Sequence, residues 1–137
     1  MSKRIVNVLF LLSILWIICF TLVPYSMEIG VGHNYNIIPF YKLTDIILHQ
    51  SLFDSLKNII GNIILFVPFG FMLLMKYPRV GTVLKATVIG TICSIFIECA
   101  QIIYPYRWTD IDDVILNTIG TLIGASLFMA VKMRIKE

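Results

Sequence analysis

Charge is scarce in this chain. Of its 137 residues only 14% are Asp, Glu, Lys or Arg, against 58% that are hydrophobic, and the mean hydropathy is +0.89. Soluble domains carry about a quarter charged residues, so an ordinary soluble fold is excluded and an integral membrane protein is indicated. A basic stripe is also missing. The net charge is +3, but the basic residues are scattered at segment ends and could not track phosphates, which excludes nucleic acid as a partner. Cysteine is limited to Cys19, Cys93 and Cys99, each inside an apolar run and without metal-ligand spacing. These three are expected to pack, unbridged. His33 and His49 form no His-x-x-x-His pair, which favours surface roles over metal ligation. Ser94 has no histidine or lysine close by in its own apolar run to activate it as a nucleophile. No internal repeat or low-complexity tract divides the chain, so residues 1–137 are expected to form one domain.

What the chain does have is long apolar runs. Residues 5–23, 58–75, 83–103 and 113–131 each approach the roughly 20 residues that cross a hydrocarbon core about 30 Å thick. The second run is short and contains Pro68 and Gly70, which predicts a kink or an uneven local membrane. Lys3 and Arg4 ahead of the first run resemble a signal peptide, but Thr21-Leu22-Val23-Pro24-Tyr25 offers no small-x-small cleavage site. A retained signal anchor is expected. Only helices and closed barrels satisfy the backbone in lipid, and these runs far exceed the strands of about ten residues that build a barrel. The expected fold is therefore an all-α, four-helix bundle in a multi-pass membrane protein.

Charge asymmetry orients it. Lys3, Arg4, Lys76, Arg79, Lys85, Lys132, Arg134 and Lys136 fall on one side of the four runs, and Lys42, Lys57 and Arg107 on the other. The positive-inside rule then puts both termini in the cytoplasm. Acids sort the opposite way: Glu28, Asp45, Asp54, Glu98, Asp110, Asp112 and Asp113 belong to the outer half, with Glu137 inside. Tyr25, Tyr35, Tyr41, Tyr104, Tyr106 and Trp108 fit an outer aromatic belt. The first outer loop, residues 24–57, is too apolar for a simple connector. Positions 43, 46, 47, 53 and 56 give it a partial helical face, which predicts an interfacial or re-entrant helix there.

Three polar rows interrupt the apolar runs. Asn58 and Asn62 share one helical face in the second. Ser94, Glu98 and Gln101 share one in the third. Glu98 lies six residues before Tyr104, about 9 Å below it at about 1.5 Å per residue. Arg107, Asp110, Asp113, Asn117, Gly120 and Gly124 form a continuous stripe into the fourth. Thr109 with Asp112 resembles a capping box, so that helix is expected to start before its apolar core. An ionisable group inside a span costs a few kcal/mol and usually faces the bundle interior, where it marks a site. Plainer readings stand beside this one. Asn58 and Asn62 serve equally well as interhelical glue, Gly120-x-x-x-Gly124 reads as a close-packing surface, Arg107 and Asp110 as a local ion pair, and Asp112 as a cap or a solvated acid. Glu98 requires a partner, either Arg107 or a proton shared with Asp113.

Four ordered motifs resemble one family. Asn36-Ile-Ile-Pro39-Phe40 is similar to its loop motif, and the segment from Asn58 through Gly61, Asn62, Phe66 and Pro68 to Gly70 to its second-span motif. Ser94-x-x-x-Glu98-x-x-Gln101 and Arg107-x-x-Asp110-x-x-Asp113-x-x-x-Asn117-x-x-Gly120 complete the set. The family is the VanZ-like family of small polytopic membrane proteins, and the resemblance runs from about Asn36 to Gly124. One departure is Tyr106, where the pattern has a small residue, usually glycine. The resemblance implies an association with glycopeptide resistance in Gram-positive bacteria, especially to lipid-tailed teicoplanin, without replacement of the drug's target.

Three functions fit these observations. The first is a binding module in which Asn58, Asn62, Glu98, Gln101, Arg107, Asp110, Asp113 and Asn117 line an outward-facing cavity. It would engage a membrane lipid, a lipid-linked cell-wall precursor, a lipoglycopeptide or another wall partner. The second is a metal-assisted enzyme on a lipid phosphate, with Glu98, Asp110, Asp112 and Asp113 as oxygen ligands of Mg²⁺ or Ca²⁺ and Arg107 as the phosphate clamp. The third is a proton-coupled transporter carried by Glu98, which would require an oligomer, since four spans without inverted symmetry are few. The charge count makes its own prediction. Alkaline phosphatase fused after Glu137 is expected to be inactive and a fluorescent protein there bright; the reverse pattern would overturn the orientation.

Overall fold

The computed structural model describes residues 2–22, 35–49, 51–103 and 109–135. Among them the helices are α1 (Lys3–Leu22), α2 (Tyr41–His49), α3 (Leu52–Lys76), α4 (Val83–Gln101) and α5 (Ile111–Arg134). Four contain stretches long and apolar enough to cross a membrane: Lys3–Thr21, Ser55–Lys76, Val83–Gln101 and Ile111–Arg134. They coincide with the four apolar runs anticipated as spans, with altered ends. α3 begins six residues ahead of Asn58 and takes in Phe53, Ser55 and Lys57, because polar residues do not stop a helix whose backbone bonds internally. It also runs unbroken through Pro68, as membrane helices tolerate where neighbours satisfy the freed carbonyl.

Turn chemistry sets the other ends. Gly81 takes a positive φ of 74°, and the Thr82 hydroxyl accepts the Lys85 N–H to cap α4. α5 does start before its apolar core, but its cap is Asp110, whose side chain accepts the Asp112 N–H, and not Thr109. The anticipated loop helix separates into α2 and the first turn of α3. A two-residue parallel pairing was not legible in the sequence. β1 (Tyr35–Asn36) lies beside β2 (Thr109–Asp110), with Asn36 opposite Asp110, and two residues are too few to show alternation.

α3 and α5 meet at backbone distance. A Cβ on Gly120 would strike the Ile63 carbonyl, one on Gly124 the Val67 carbonyl, and one on Gly70 of α3 the Thr121 backbone of α5. This is the close-packing surface expected of Gly120-x-x-x-Gly124. The apolar core lies to one side of that seam, where Phe66, Phe69 and Leu73 of α3 pack with Phe10 and Ile17 of α1. Leu11, Leu12, Leu15, Phe96 and Leu127 point outward, giving the apolar exterior that a hydrocarbon solvent favours. Cys93 packs against the core, but Cys19 and Cys99, expected to pack, are exposed on this exterior. In lipid an apolar run faces outward as readily as inward.

The seam yields a stability prediction. Gly124→Leu is expected to destabilise the bundle by about 1–3 kcal/mol, as overpacking generally does, measured by thermal unfolding in detergent. An unchanged melting point would mean that the helices are not held this closely.

Candidate functional site

The site is assembled at the end of the bundle where α1 and α4 finish and α3 and α5 begin. Its centre is Asp110, only 1% exposed. As the cap of α5 its Oδ1 accepts the Asp112 N–H at 3.0 Å and the Asn36 side-chain amide at 3.0 Å. Its Oδ2 pairs with the Lys42 ammonium at 3.0 Å. Its own N–H donates to Glu98 Oε2 at 2.9 Å, and the Thr109 hydroxyl donates to the Glu98 carbonyl at 3.3 Å. Glu98 is thereby tied to the start of α5 through backbone, a partner that side-chain reasoning had sought in Arg107 or Asp113. Arg107 lies outside the described residues, as do His33, Tyr25, Tyr104, Tyr106, Trp108 and the Asp54 side chain.

Asp112 neither faces water nor caps its own helix. It is 1% exposed and accepts the N–H groups of Phe40 and Leu43, the latter at 3.0 Å. Those are unpaired donors at the start of α2, so an acid of α5 caps a helix about 70 residues earlier. Phe40 adopts a φ of 65° to make this junction. Lys42 follows in the first turn of α2 and also lies 3.8 Å from Asp113. Burial pulls its pKa down, but Asp113, Asp110 and Glu98 together outweigh that and hold it above the usual lysine value. Lys42 thus remains an ammonium, as its acids require.

Asp113 also accepts the Asn62 amide at 2.8 Å, and Asn62 stands 3.5 Å from Asn58. Gln101 donates to the Thr21 carbonyl at 2.8 Å, linking α4 to the end of α1. Asn117, 2% exposed, donates to Ser94 at 2.9 Å, so Ser94 is a hydrogen-bond partner in this arrangement. The Asn117 Oδ1 has no partner among the described residues. His49 pairs with Asp45 on the exposed face of α2.

These groups surround a cavity of about 620 Å³. Asn58, Asn62, Glu98, Gln101, Asp113 and Asn117, all picked from the sequence, line it together. Asp110 lies among the groups tied to Glu98 and Lys42 and does not line it. Lys57 and Thr21 add to the polar wall, while Trp16, Phe20, Ile60 and Ile64 form an apolar one. Among the described residues no three of His, Cys, Asp and Glu are grouped as a metal ion requires. Asp110 and Asp112 already direct their oxygens to Lys42, Asn36 and backbone N–H groups, so the four carboxylates considered for Mg²⁺ or Ca²⁺ do not present a common ligand set. Sequence reasoning missed Lys42 and the structural use of Asn36. The available signal was imbalance, because a lysine in an apolar loop facing seven outer acids has to be paired.

A family model described as VanZ/LLP1 matches residues 8–132. The chain is also similar to Protein VanZ of Enterococcus faecium, with 29% identity over 123 residues that cover 88% of this chain and 69% of that protein. No solved structure matches it.

Lys42→Met is expected to cost about 3 kcal/mol, the low end for breaking a buried ion pair, because Lys42 keeps 27% of its side chain open. Folding raises the lysine pKa, so its contribution is complete below the unfolded value and lost as pH climbs through the folded one. Unfolding measured from neutral to strongly alkaline pH is therefore expected to show wild type converging on Lys42→Met. Parallel curves would refute the pairing.

Proposed function

The chain belongs to the VanZ/LLP1 family, and from that premise we propose that it serves the bacterial envelope as a binding module. It contributes to glycopeptide tolerance by engaging an envelope lipid, a lipid-tailed antibiotic such as teicoplanin, or a cell-wall partner. The observation that carries this reading is the cavity, where six amide and carboxylate side chains from α3, α4 and α5 converge beside an apolar wall from α1 and α3. Such a mixture suits an amphiphile, since apolar surface supplies affinity and a few placed polar groups supply orientation.

The distribution of basic residues supports an orientation with both termini in the cytoplasm. The cavity then opens in the outer half of the membrane, where envelope lipids and lipid-tailed drugs are met. In this orientation α2 acts as the interfacial helix, held at the outer mouth by the Asp112 cap and the Lys42 pairs. Two of the four candidate metal ligands, Asp110 and Asp112, are directed to α2 and its flanking strand, which favours binding over metal-assisted hydrolysis.

Glu98 is the residue to test. In a sensitive Gram-positive host with matched membrane levels, wild type is expected to raise teicoplanin tolerance more than vancomycin tolerance, and Glu98→Gln to abolish the gain. In nanodiscs, calorimetry is expected to show Glu98→Gln weakening teicoplanin binding about tenfold or more, since a hydrogen bond to a charged group contributes about 1.5–3 kcal/mol. If neither protein changes susceptibility or binds the drug, the glycopeptide reading falls.

A further inference from the structure

Beside the polar cavity lies a second hollow of about 420 Å³, lined by Leu9, Leu12, Trp16, Val67, Phe71 and Met72, with Ser13 and Pro68 completing it. It sits between α1 and α3, as does the apolar wall of the polar cavity. Trp16 lines both hollows, and on α3 the lining passes from Ile64 and Leu65 in one to Val67 and Pro68 in the other without a break. A polar hollow and an apolar one therefore adjoin at Trp16 along one pair of helices. From Asn62 to Met72 is ten residues of α3, about 15 Å at about 1.5 Å per residue. That is the depth of one leaflet of a hydrocarbon core about 30 Å thick.

Gly61 provides an independent mark. Where Gly70, Gly120 and Gly124 allow helices to touch, a Cβ on Gly61 would meet nothing within 4 Å, although Gly61 lines the cavity. This glycine is not required for packing and leaves space open. Asn117 points the same way, because one of its amide atoms is buried in the cavity wall without a partner among the described residues. A buried acceptor left unpaired is unfavourable, and a donor on a ligand would relieve it.

The charges select the kind of head. Glu98 and Asp113 face the cavity, and the Lys42 ammonium lies against Asp110 and Asp113. Lys57 is the cation of the lining among the described residues, and its residue is exposed. A phosphate in this position would meet two carboxylates, whereas a hydroxyl or ammonium hydrogen would find acceptors.

Resting on the binding reading above, we infer that the ligand is a membrane amphiphile with a hydrogen-bond-donating, non-anionic head. The head occupies the cavity between Glu98, Asp113 and Asn117, and one hydrocarbon chain lies in the α1–α3 groove below Trp16. The ligand enters sideways from the membrane between these two helices.

Trp16 reports on this directly. With Trp108→Phe, Trp16 is the one tryptophan left of two, and chain-brominated probes quench it on contact. Full-length protein in bromine-free nanodiscs would be titrated with three probes of equal chain length: a brominated monoacylglycerol, its fatty-acid methyl ester, and a brominated phosphatidate. Saturable quenching is expected with the monoacylglycerol alone, over a linear background common to all three. Gly61→Phe, which fills the open space, is expected to abolish the saturable phase and Leu127→Phe, on the outward face of α5, to preserve it, both with melting temperatures near that of wild type. If phosphatidate or methyl ester saturates equally well and Gly61→Phe blocks it, the cavity binds amphiphiles but the assignment of the head is overturned. If saturation survives Gly61→Phe at full strength, the location is overturned. If no probe saturates, this inference is overturned, while the binding reading is decided separately by the teicoplanin experiment.

Discussion

The closeness of α3 to α5 is the constraint from which the rest of the molecule follows. Glycine at positions 70, 120 and 124 removes the side chains that would hold the two backbones apart. In lipid there is little hydrophobic gain from helix association, so close van der Waals contact and interhelical hydrogen bonds have to hold the pair. Two turns from Gly120 toward the start of α5, the same approach brings Asn62 within 2.8 Å of Asp113. A second close approach, where a Cβ on Gly90 of α4 would strike the Thr121 side chain of α5, sets Asn117 against Ser94. α1 has no glycine of its own among its residues. It packs through bulky Phe10 and Ile17, and the hollows between it and α3 remain open.

The second organising element is the arrangement of charge at the α2 end. Four acids in a largely apolar chain would be prohibitive if left unpaired. Each is answered differently. Asp110 meets Lys42 and Asn36, Asp112 meets the free N–H groups of α2, Asp113 meets Asn62 and Lys42, and Glu98 meets the Asp110 backbone. The outcome is a division of labour. Asp110 and Asp112 hold the segment 35–49 onto the bundle, while Glu98 and Asp113 line the cavity. The buried acids thereby fix the polar groups around the cavity in place.

Much of this was legible from residue types and spacing. Length and hydropathy identified four spans because the hydrocarbon core sets a minimum run. Helical spacing identified the faces of Asn58 and Asn62, of Glu98 and Gln101, and of Asp113 and Asn117, since residues three or four apart share a side whatever the tertiary fold. These faces do converge. The close-packing role of Gly120 and Gly124 followed from the same periodicity. The extent of α3 did not, because Ser55 and Lys57 look like loop residues until the helix is seen to continue through them. Cys19 and Cys99 were misjudged for a related reason, as an apolar run does not say which of its faces meets lipid.

The sequence by itself determined the class of the protein, the number of its helices long and apolar enough to cross a membrane, and the sides of the helices that carry polar groups. Each of these depends on local periodicity or on the solvent, and neither needs knowledge of a distant neighbour. Only the tertiary structure decided which acid meets which partner. Lys42 reaches Asp110, Asn36 reaches Asp110, and Asp112 caps α2 across about 70 residues of chain. No spacing rule links such positions, since their contact is created when β1 and α2 fold back onto the start of α5. The openness of the α1–α3 groove was likewise decided in three dimensions, because a hollow arises from what neighbouring side chains fail to fill.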